Sequence, residues 1–196
     1  MESNRKINYY INFKNLDKKT QMKILKWRNQ FFVRKSMITN NIISEEEHIK
    51  FLILLNHSKE KQNYLFFFNN KPIGVFYYSF KNHLECEFGY YLIDENFVSS
   101  GYGILIEYIA LKIFFEKNEN YSKKFFCRTR KDNSKVINLH KKLGFLSEKE
   151  IFINNNTYLH QEIDKITWDK NKETIRNMLE KVFKIDINEV KEWKKN

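Results

Sequence analysis

One stretch constrains the fold of this chain more than any other: GYGILIEYIALKIFFE, residues 101–116. Apolar side chains fill nearly every position, so a helix built from it has no face to leave to water. The run is shorter than the ~20 apolar residues a membrane span requires. It predicts a helix packed deep between other layers. Two of the chain's five glycines, Gly101 and Gly103, open it. Glycine lets backbone approach a ligand closely, and a helix's first turn carries amides without intrahelical partners. A strand, a Gly-x-Gly turn and a helix therefore make an anion site where amides and helix dipole face a phosphate. The same turn also serves merely to bend a chain from strand to helix, and on this stretch alone both readings stand. No Gly-Lys-Ser/Thr follows, which excludes a Walker A loop, and a dinucleotide fingerprint would need a third glycine.

The remaining pattern supplies the layers. Residues 7–13 (INYYINF) read as a strand, and a helix capped by Asp17 runs to about Phe32. Ser44 and Glu47 have capping-box spacing ahead of HIKFLILL. Residues 64–68 and 73–80 flank NNKP as a hairpin, and 85–93 and 124–129 read as further strands. NSKVINLHKKLGF, residues 133–145, is an amphipathic helix with a Leu-Gly-Phe stop. Strands at 145–153 and 157–166 flank a turn at 154–156, and a basic amphipathic helix starts near Lys170. The order predicts a mixed α/β (α+β) fold. A main domain over 1–166 carries a helical extension, 167–196, packed on the same domain.

Net charge is +11, from 35 basic and 24 acidic residues. Such a surface attracts phosphates, whether of nucleic acid, an acidic membrane or a phosphorylated small ligand. The lysines are spread along the chain without an arginine block, which argues against a nucleic-acid partner. Cys86 and Cys127 are too few for a disulfide framework and lack metal-ligand spacing, so no metal is expected. Both are expected to be reduced core residues of a cytoplasmic protein, and no activating base is assignable beside either. The polar start MESNRKINYY predicts neither signal peptide nor membrane partner.

About thirty residues separate the glycine turn from Asn133, with a strand between them. That arrangement, followed by N-x-x-x-x-x-L-H-x-K-x-G-F, resembles the Gcn5-related N-acetyltransferases (GNAT). The resemblance implies a GNAT fold: a mixed, mostly antiparallel sheet of six to seven strands, flanked by helices, with splayed central strands. It implies acetyl-CoA as cosubstrate, its pyrophosphate held by loop amides and its pantetheine arm by the preceding strand. Leu92, Ile93, Val98, Ser99, Ser100, Gly101, Tyr102, Gly103, Ile104 and Asn133 are the matching positions, and Lys142 adds positive field. Family loops usually begin with Gln or Arg, where this chain has Val98. His140 falls where most relatives place a tyrosine that protonates the leaving thiolate. Imidazole donates a proton at lower pH than phenol and, unlike phenol, also accepts the amine's proton. Lys141 and Lys142 beside it leave a plain solvated face as the alternative.

The N-terminal half resembles one branch in particular. WRN at 27–29, VRKSM at 33–37, IISEEEHIKF at 42–51 and CEFGYY at 86–91 are similar to the acetyltransferases of pseudaminic acid biosynthesis. Their acceptor is UDP-4-amino-4,6-dideoxy-N-acetyl-β-L-altrosamine. The resemblance implies a UDP-amino sugar as small-molecule substrate, with Arg28, Asn29, Met37, Phe51 and Tyr91 around it. Four of them have a structural alternative: a local salt bridge for Arg28, a helix cap or bend for Asn29, core packing for Met37 and Phe51. Glu87 shares a strand face with Gly89 and Tyr91 and is the candidate general base, a lysine pairing being its alternative. Direct attack of the amine on the thioester is expected. The competing readings are a protein or ribosomal N-terminal acetyltransferase, a legionaminic-type amino-sugar enzyme, and a non-catalytic acyl-CoA- or nucleic-acid-binding module. Monomer and homodimer are equally compatible with the sequence.

Overall fold

Side chains alternate along the strands and sort into two apolar layers, one on each face of a single sheet. The computed structural model describes residues 7–82, 84–117 and 124–194; residues 1–6 of the expected polar start and the last two residues of the expected extension lie outside them. In chain order the elements are β1 Tyr9–Asn12, α1 Lys18–Arg28, α2 Phe31–Arg34, α3 Glu45–His57, β2 Lys61–Phe68, β3 Lys71–Phe80 and β4 Glu85–Leu92. They continue with α4 Tyr102–Lys117, β5 Lys124–Arg130, α5 Ser134–Leu143, β6 Leu146–Ile153, β7 Asn156–Ile163, α6 Lys165–Phe183 and β8 Lys191–Glu192. The sheet order is β6-β7-β5-β4-β3-β2-β1-β8. This is the expected mixed fold with eight strands instead of six to seven, the added β8 lying parallel to β1.

Tyr64, Phe66, Phe76, Tyr78, Phe88 and Phe125 point to the face covered by α4, α5 and α6. Leu65 and Val75, one residue out of phase, pack instead against Phe13, Ile24, Leu52 and Leu55 on the α1 and α3 side. The apolar helix α4 is buried as its sequence demanded: Leu105, Ile106, Ala110 and Leu111 have no exposed surface. Tyr78 ties it to the sheet by donating its hydroxyl hydrogen to the Ala110 carbonyl at 2.7 Å. No helix of the described residues is long and apolar enough to cross a membrane.

Local chemistry accounts for most boundaries. The Ser44–Glu47 capping box forms, and Asn133 caps α5. Asn69–Asn70 and Asn154–Asn155 turn the two hairpins at positive φ, a conformation asparagine tolerates. The single helix expected to reach Phe32 is broken. The Asn29 side chain clamps the backbone of Ile43, accepting from its N–H at 2.9 Å and donating to its carbonyl at 2.8 Å. Gln30 then becomes extended, and α2 is a separate turn. The last helix starts at Lys165, before the expected Lys170, because Asp164 accepts from the Thr167 N–H and ends β7 early. It runs across the expected 166/167 boundary.

The sheet opens at one place. β4 and β5 are parallel neighbours paired only from Glu85 with Lys124 to Glu87 with Phe126. Beyond that point β4 stays bonded to β3 as far as Leu92, and β5 stays bonded to β7 as far as Arg130. Each strand follows its outer neighbour, and their inner edges part.

Trp168, 1% exposed, places α6 in the main core, its ring 5.0 Å from Tyr108 and 6.1 Å from Phe115. Replacing a fully buried tryptophan with alanine costs about 3–5 kcal/mol. In a chain of this size that lowers the melting temperature by roughly 10 °C. Calorimetry of Trp168→Ala is expected to show one cooperative transition at the lower temperature; an unshifted main transition would show that α6 is not part of the core.

Candidate active site

The parting of β4 and β5 creates a cavity of about 750 Å³. Phe88, Tyr90 and Cys127 line it from the helix-covered face, and Tyr77, Glu87, Gly89 and Arg128 from the opposite face. A cavity lined from both faces passes through the sheet, so two ligands can meet in it from opposite sides.

On one side stands the glycine loop. Ser99 and Gly101 turn the backbone at φ 71° and 90° and deliver the chain into the first turn of α4. At Gly103 a Cβ would meet the Tyr90 hydroxyl at 2.9 Å, so this close approach requires glycine. Lys135 of α5 reaches across and donates to the Ser99 hydroxyl at 3.1 Å. Lys35, Arg130, Lys135 and Lys142 also line the cavity. The N-terminus of α4 behind a left-handed glycine turn, with Lys135 and Lys142 of α5 beside it, fits an anionic group such as a pyrophosphate. Of the residues expected here, Leu92, Val98, Ser99, Gly101, Gly103, Ile104, Asn133 and Lys142 line the cavity. Ile93, Ser100 and Tyr102 do not. The Ile93 backbone is engaged by Ile73 and the Gln30 side chain, the Ser100 hydroxyl donates to the Phe97 carbonyl, and the Tyr102 ring packs on Phe68 and Phe183.

His140 lines the same cavity but is no surface residue: it is 2% exposed. Its Nε2 lies 2.5 Å from Glu107 Oε1 and its Nδ1 2.8 Å from Gln161 Oε1. With an acceptor oxygen at each nitrogen, both nitrogens carry hydrogen, and the ring is an imidazolium. Burial pulls its pKa down, but Glu107 first and Cys127 second outweigh that, and His140 stands well above the ordinary histidine value. Burial pushes the Glu107 carboxyl up, against the pull of the His140 charge. Glu107 Oε2 and Gln161 Nε2 have no hydrogen-bond partner among the described residues, and Glu107 also lines the cavity. The pair thus holds one buried proton at the cavity wall. With both nitrogens donating, His140 is no acceptor for an amine proton.

Contrary to the expectation that no base adjoins a cysteine, Cys127 Sγ lies 3.5 Å from Nδ1 and 3.9 Å from Nε2 of His140. With the Glu107 and Gln161 oxygens at its two nitrogens, the ring has no free lone pair directed at the sulfur. That geometry does not abstract the thiol proton. Glu107 and Gln161 were missed by sequence reasoning. Their signals were present: Glu107 is the one charge within YGILIEYIAL, and Gln161 is in phase with the buried Ile163 of β7.

On the other face, Tyr91, Met37 and Glu87 line the cavity as expected, joined by Tyr77. The Tyr77 ring crosses directly over position 89, where a Cβ would lie 2.2 Å from its hydroxyl oxygen. Burial, then Glu87, push the Tyr77 phenol up to about 12, so it is a neutral donor. Glu87 pairs with arginine rather than lysine: its Oε1 accepts from Arg128 Nε at 2.7 Å and also from Nη2. Three expected acceptor residues are not on the cavity wall. Arg28 donates from Nη2 to the Thr39 carbonyl at 2.8 Å, Asn29 forms the clamp described above, and Phe51 packs on the second core beside His48.

Residues 13–146 match the family model described as Acetyltransferase (GNAT) domain. The chain is similar to the acetyltransferase PseH of Campylobacter jejuni, 30% identical over 134 residues that cover 68% of this chain and 82% of that protein. The crystal structure of Campylobacter jejuni N-acetyltransferase PseH in complex with acetyl coenzyme A superposes with a TM-score of 0.63 at 22% identity, covering 81% of this chain and 99% of that one. Spermidine N-acetyltransferase from Vibrio cholerae, in complex with CoA and spermine, gives a TM-score of 0.70 at 17% identity over 79% of this chain and 95% of that one. The family model spans the glycine loop, the parted strands and the His140 helix together, and the chain belongs to the GNAT acetyltransferase family.

Proposed function

We propose that the protein transfers the acetyl group of acetyl-CoA to the 4-amino group of a UDP-linked 4-amino-4,6-dideoxy sugar, as in pseudaminic acid biosynthesis. The observation that carries this reading is the cavity through the sheet, with an anion-binding glycine loop on one side and Tyr77, Tyr91 and Glu87 on the other. The similarity to PseH supports the choice of pathway. Leu92, the loop Val98–Ile104 residues that line the cavity, Asn133 and Lys142 hold the coenzyme; Met37, Tyr77 and Tyr91 face the sugar. The region 1–166 and its extension work as one unit.

The amine nitrogen attacks the thioester carbonyl carbon, the C–N bond forms, and the C–S bond breaks. Free amides on the inner edge of β4 polarise the carbonyl as negative charge develops on its oxygen. The amine's proton leaves toward the Glu87 carboxylate, whose Oε2 takes no part in the two Arg128 contacts. The coenzyme leaves as a thiolate and takes a proton from the Glu107–His140 pair. No acyl-enzyme forms.

Purified protein given acetyl-CoA and a panel of UDP-4-amino sugars is expected to release thiol with the 4,6-dideoxy members. Silence across the panel together with activity on a peptide amine would overturn the reading. General acid catalysis contributes about 10²–10⁴-fold. His140→Phe is therefore expected to lose at least ~100-fold in turnover while keeping its acetyl-CoA affinity; equal turnover would remove His140 from the chemistry. The raised His140 pKa also links folding to pH. Its stabilisation is fully present below the ordinary histidine value of about 6.5 and is lost as pH climbs through the raised one. Melting temperature should thus fall on the alkaline side in the native protein, and Glu107→Gln should flatten that slope and move the alkaline limb of turnover to lower pH.

A further inference from the structure

Arg128 belongs to two cavities. Besides the one through the sheet, it lines a cleft of about 390 Å³. Phe126, Arg128, His160 and Glu162 of β5 and β7 form its floor, out of phase with Phe125, Cys127, Gln161 and Ile163. The cleft thus lies on the face opposite α4 and α5, next to Glu87. The Glu87–Arg128 pair is the wall between the two cavities.

The cleft is positively charged. Lys81, Lys124, Lys149 and Arg128 stand against Glu85 and Glu162. Lys124 is paired with Glu162 at 2.8 Å and Arg128 with Glu87. Lys81 and Lys149 have no carboxylate at ion-pair distance among the described residues; the Lys81 ammonium sits 4.6 Å from the Phe126 ring centroid. His160 stacks on Phe126 with centroids 4.8 Å apart. Burial first and Lys149 second pull the His160 pKa below the ordinary histidine value, with Lys81 adding to them and Glu162 opposing. The ring is neutral because a further positive charge is disfavoured there. An anion would reverse that balance.

We propose that this cleft binds the phosphates of a phosphorylated amine acceptor, with Lys81 and Lys149 as its free cations and Arg128 as the link to the reacting amine. The direction of the amine rests on the acetyl-transfer reading above; phosphate binding in the cleft does not. An acceptor whose amine enters beside Glu87 has its next groups at Arg128 and those beyond in the cleft. The same field repels a polyamine. The cleft has the size of a small-ligand pocket and carries one arginine, which favours a nucleoside diphosphate over a nucleic-acid strand.

The test follows the His160 ring protons by NMR, assigned with His160→Gln. Inorganic pyrophosphate is added at constant ionic strength, with saturating coenzyme A present so that the glycine loop is occupied. Saturable movement of the His160 signals and a rise in its pKa are expected, both lost in Lys81→Ala/Lys149→Ala. In steady-state kinetics the double variant should raise KM for the UDP-amino sugar at least ~10-fold, about 1.4 kcal/mol of binding, with KM for acetyl-CoA unchanged. A His160 signal indifferent to pyrophosphate, or a double variant with native KM, overturns the proposal. A single-stranded oligonucleotide that moves His160 as strongly, with steep salt dependence, overturns it in favour of nucleic acid. If pyrophosphate moves His160 while no UDP-amino sugar is acetylated, the cleft stands and the acceptor named above falls.

Discussion

Everything at the site depends on the two strands that stop pairing. A parallel ladder between β4 and β5 carried to its end would seal the sheet, and the core under α4 would be inaccessible from the other face. Instead the ladder ends at Glu87 and Phe126, while both strands keep their outer partners to the end. Backbone amides and carbonyls on the inner edges are left to be satisfied by something that is not sheet, and buried backbone groups without partners are costly. The fold therefore holds an extended ligand-shaped gap at fixed width, braced by rigid ladders on either side. Gly89 and Gly103 serve the same gap, one letting Tyr77 cross β4 and the other letting α4 approach Tyr90.

The buried charge at the bottom of this gap is the second organising element. A lone carboxylate with no exposed surface would be protonated, and a lone histidine at 2% exposure would be neutral. Placed 2.5 Å apart they stabilise each other's charged forms, and Gln161 fixes the ring by taking its other N–H. Such a pair contributes little to stability against an apolar replacement. Its presence inside an otherwise apolar layer is better understood as a proton held in place beside the cavity that Glu107 lines.

How legible this was in the sequence follows from the range of the interactions. Features set by neighbouring residues were readable: the Ser44 box, the asparagine turns, the Asn133 cap and the apolar run of α4. The glycine loop was readable because glycine is so scarce in this chain that its placement carries meaning. The break after Arg28 was not, since it depends on the Asn29 side chain meeting Ile43 across a loop. Nor was the environment of His140, whose partners come from α4 and β7 and are separated from it by 33 and 21 positions. A helical wheel showed His140 beside lysines and suggested a wet face; the fold placed it against Phe145 and under the sheet. Phe51 packs in the second core, and Arg28 stands off the cavity wall yet beside Tyr77 and Tyr91, positions that only the assembled fold defines.

The tail has a consequence for how the chain is made. β8 lies parallel to β1, with Lys191 opposite Tyr9, while α6 between them is sewn into the core through Trp168. During synthesis β1 therefore waits for β8, far along the chain, before its outer edge is covered. Contacts this distant in sequence form late and slow the search for the native state. Until residues 191–192 arrive, the β1 edge is an open template for pairing with another chain, a period in which a nascent copy is exposed to its neighbours on the same message.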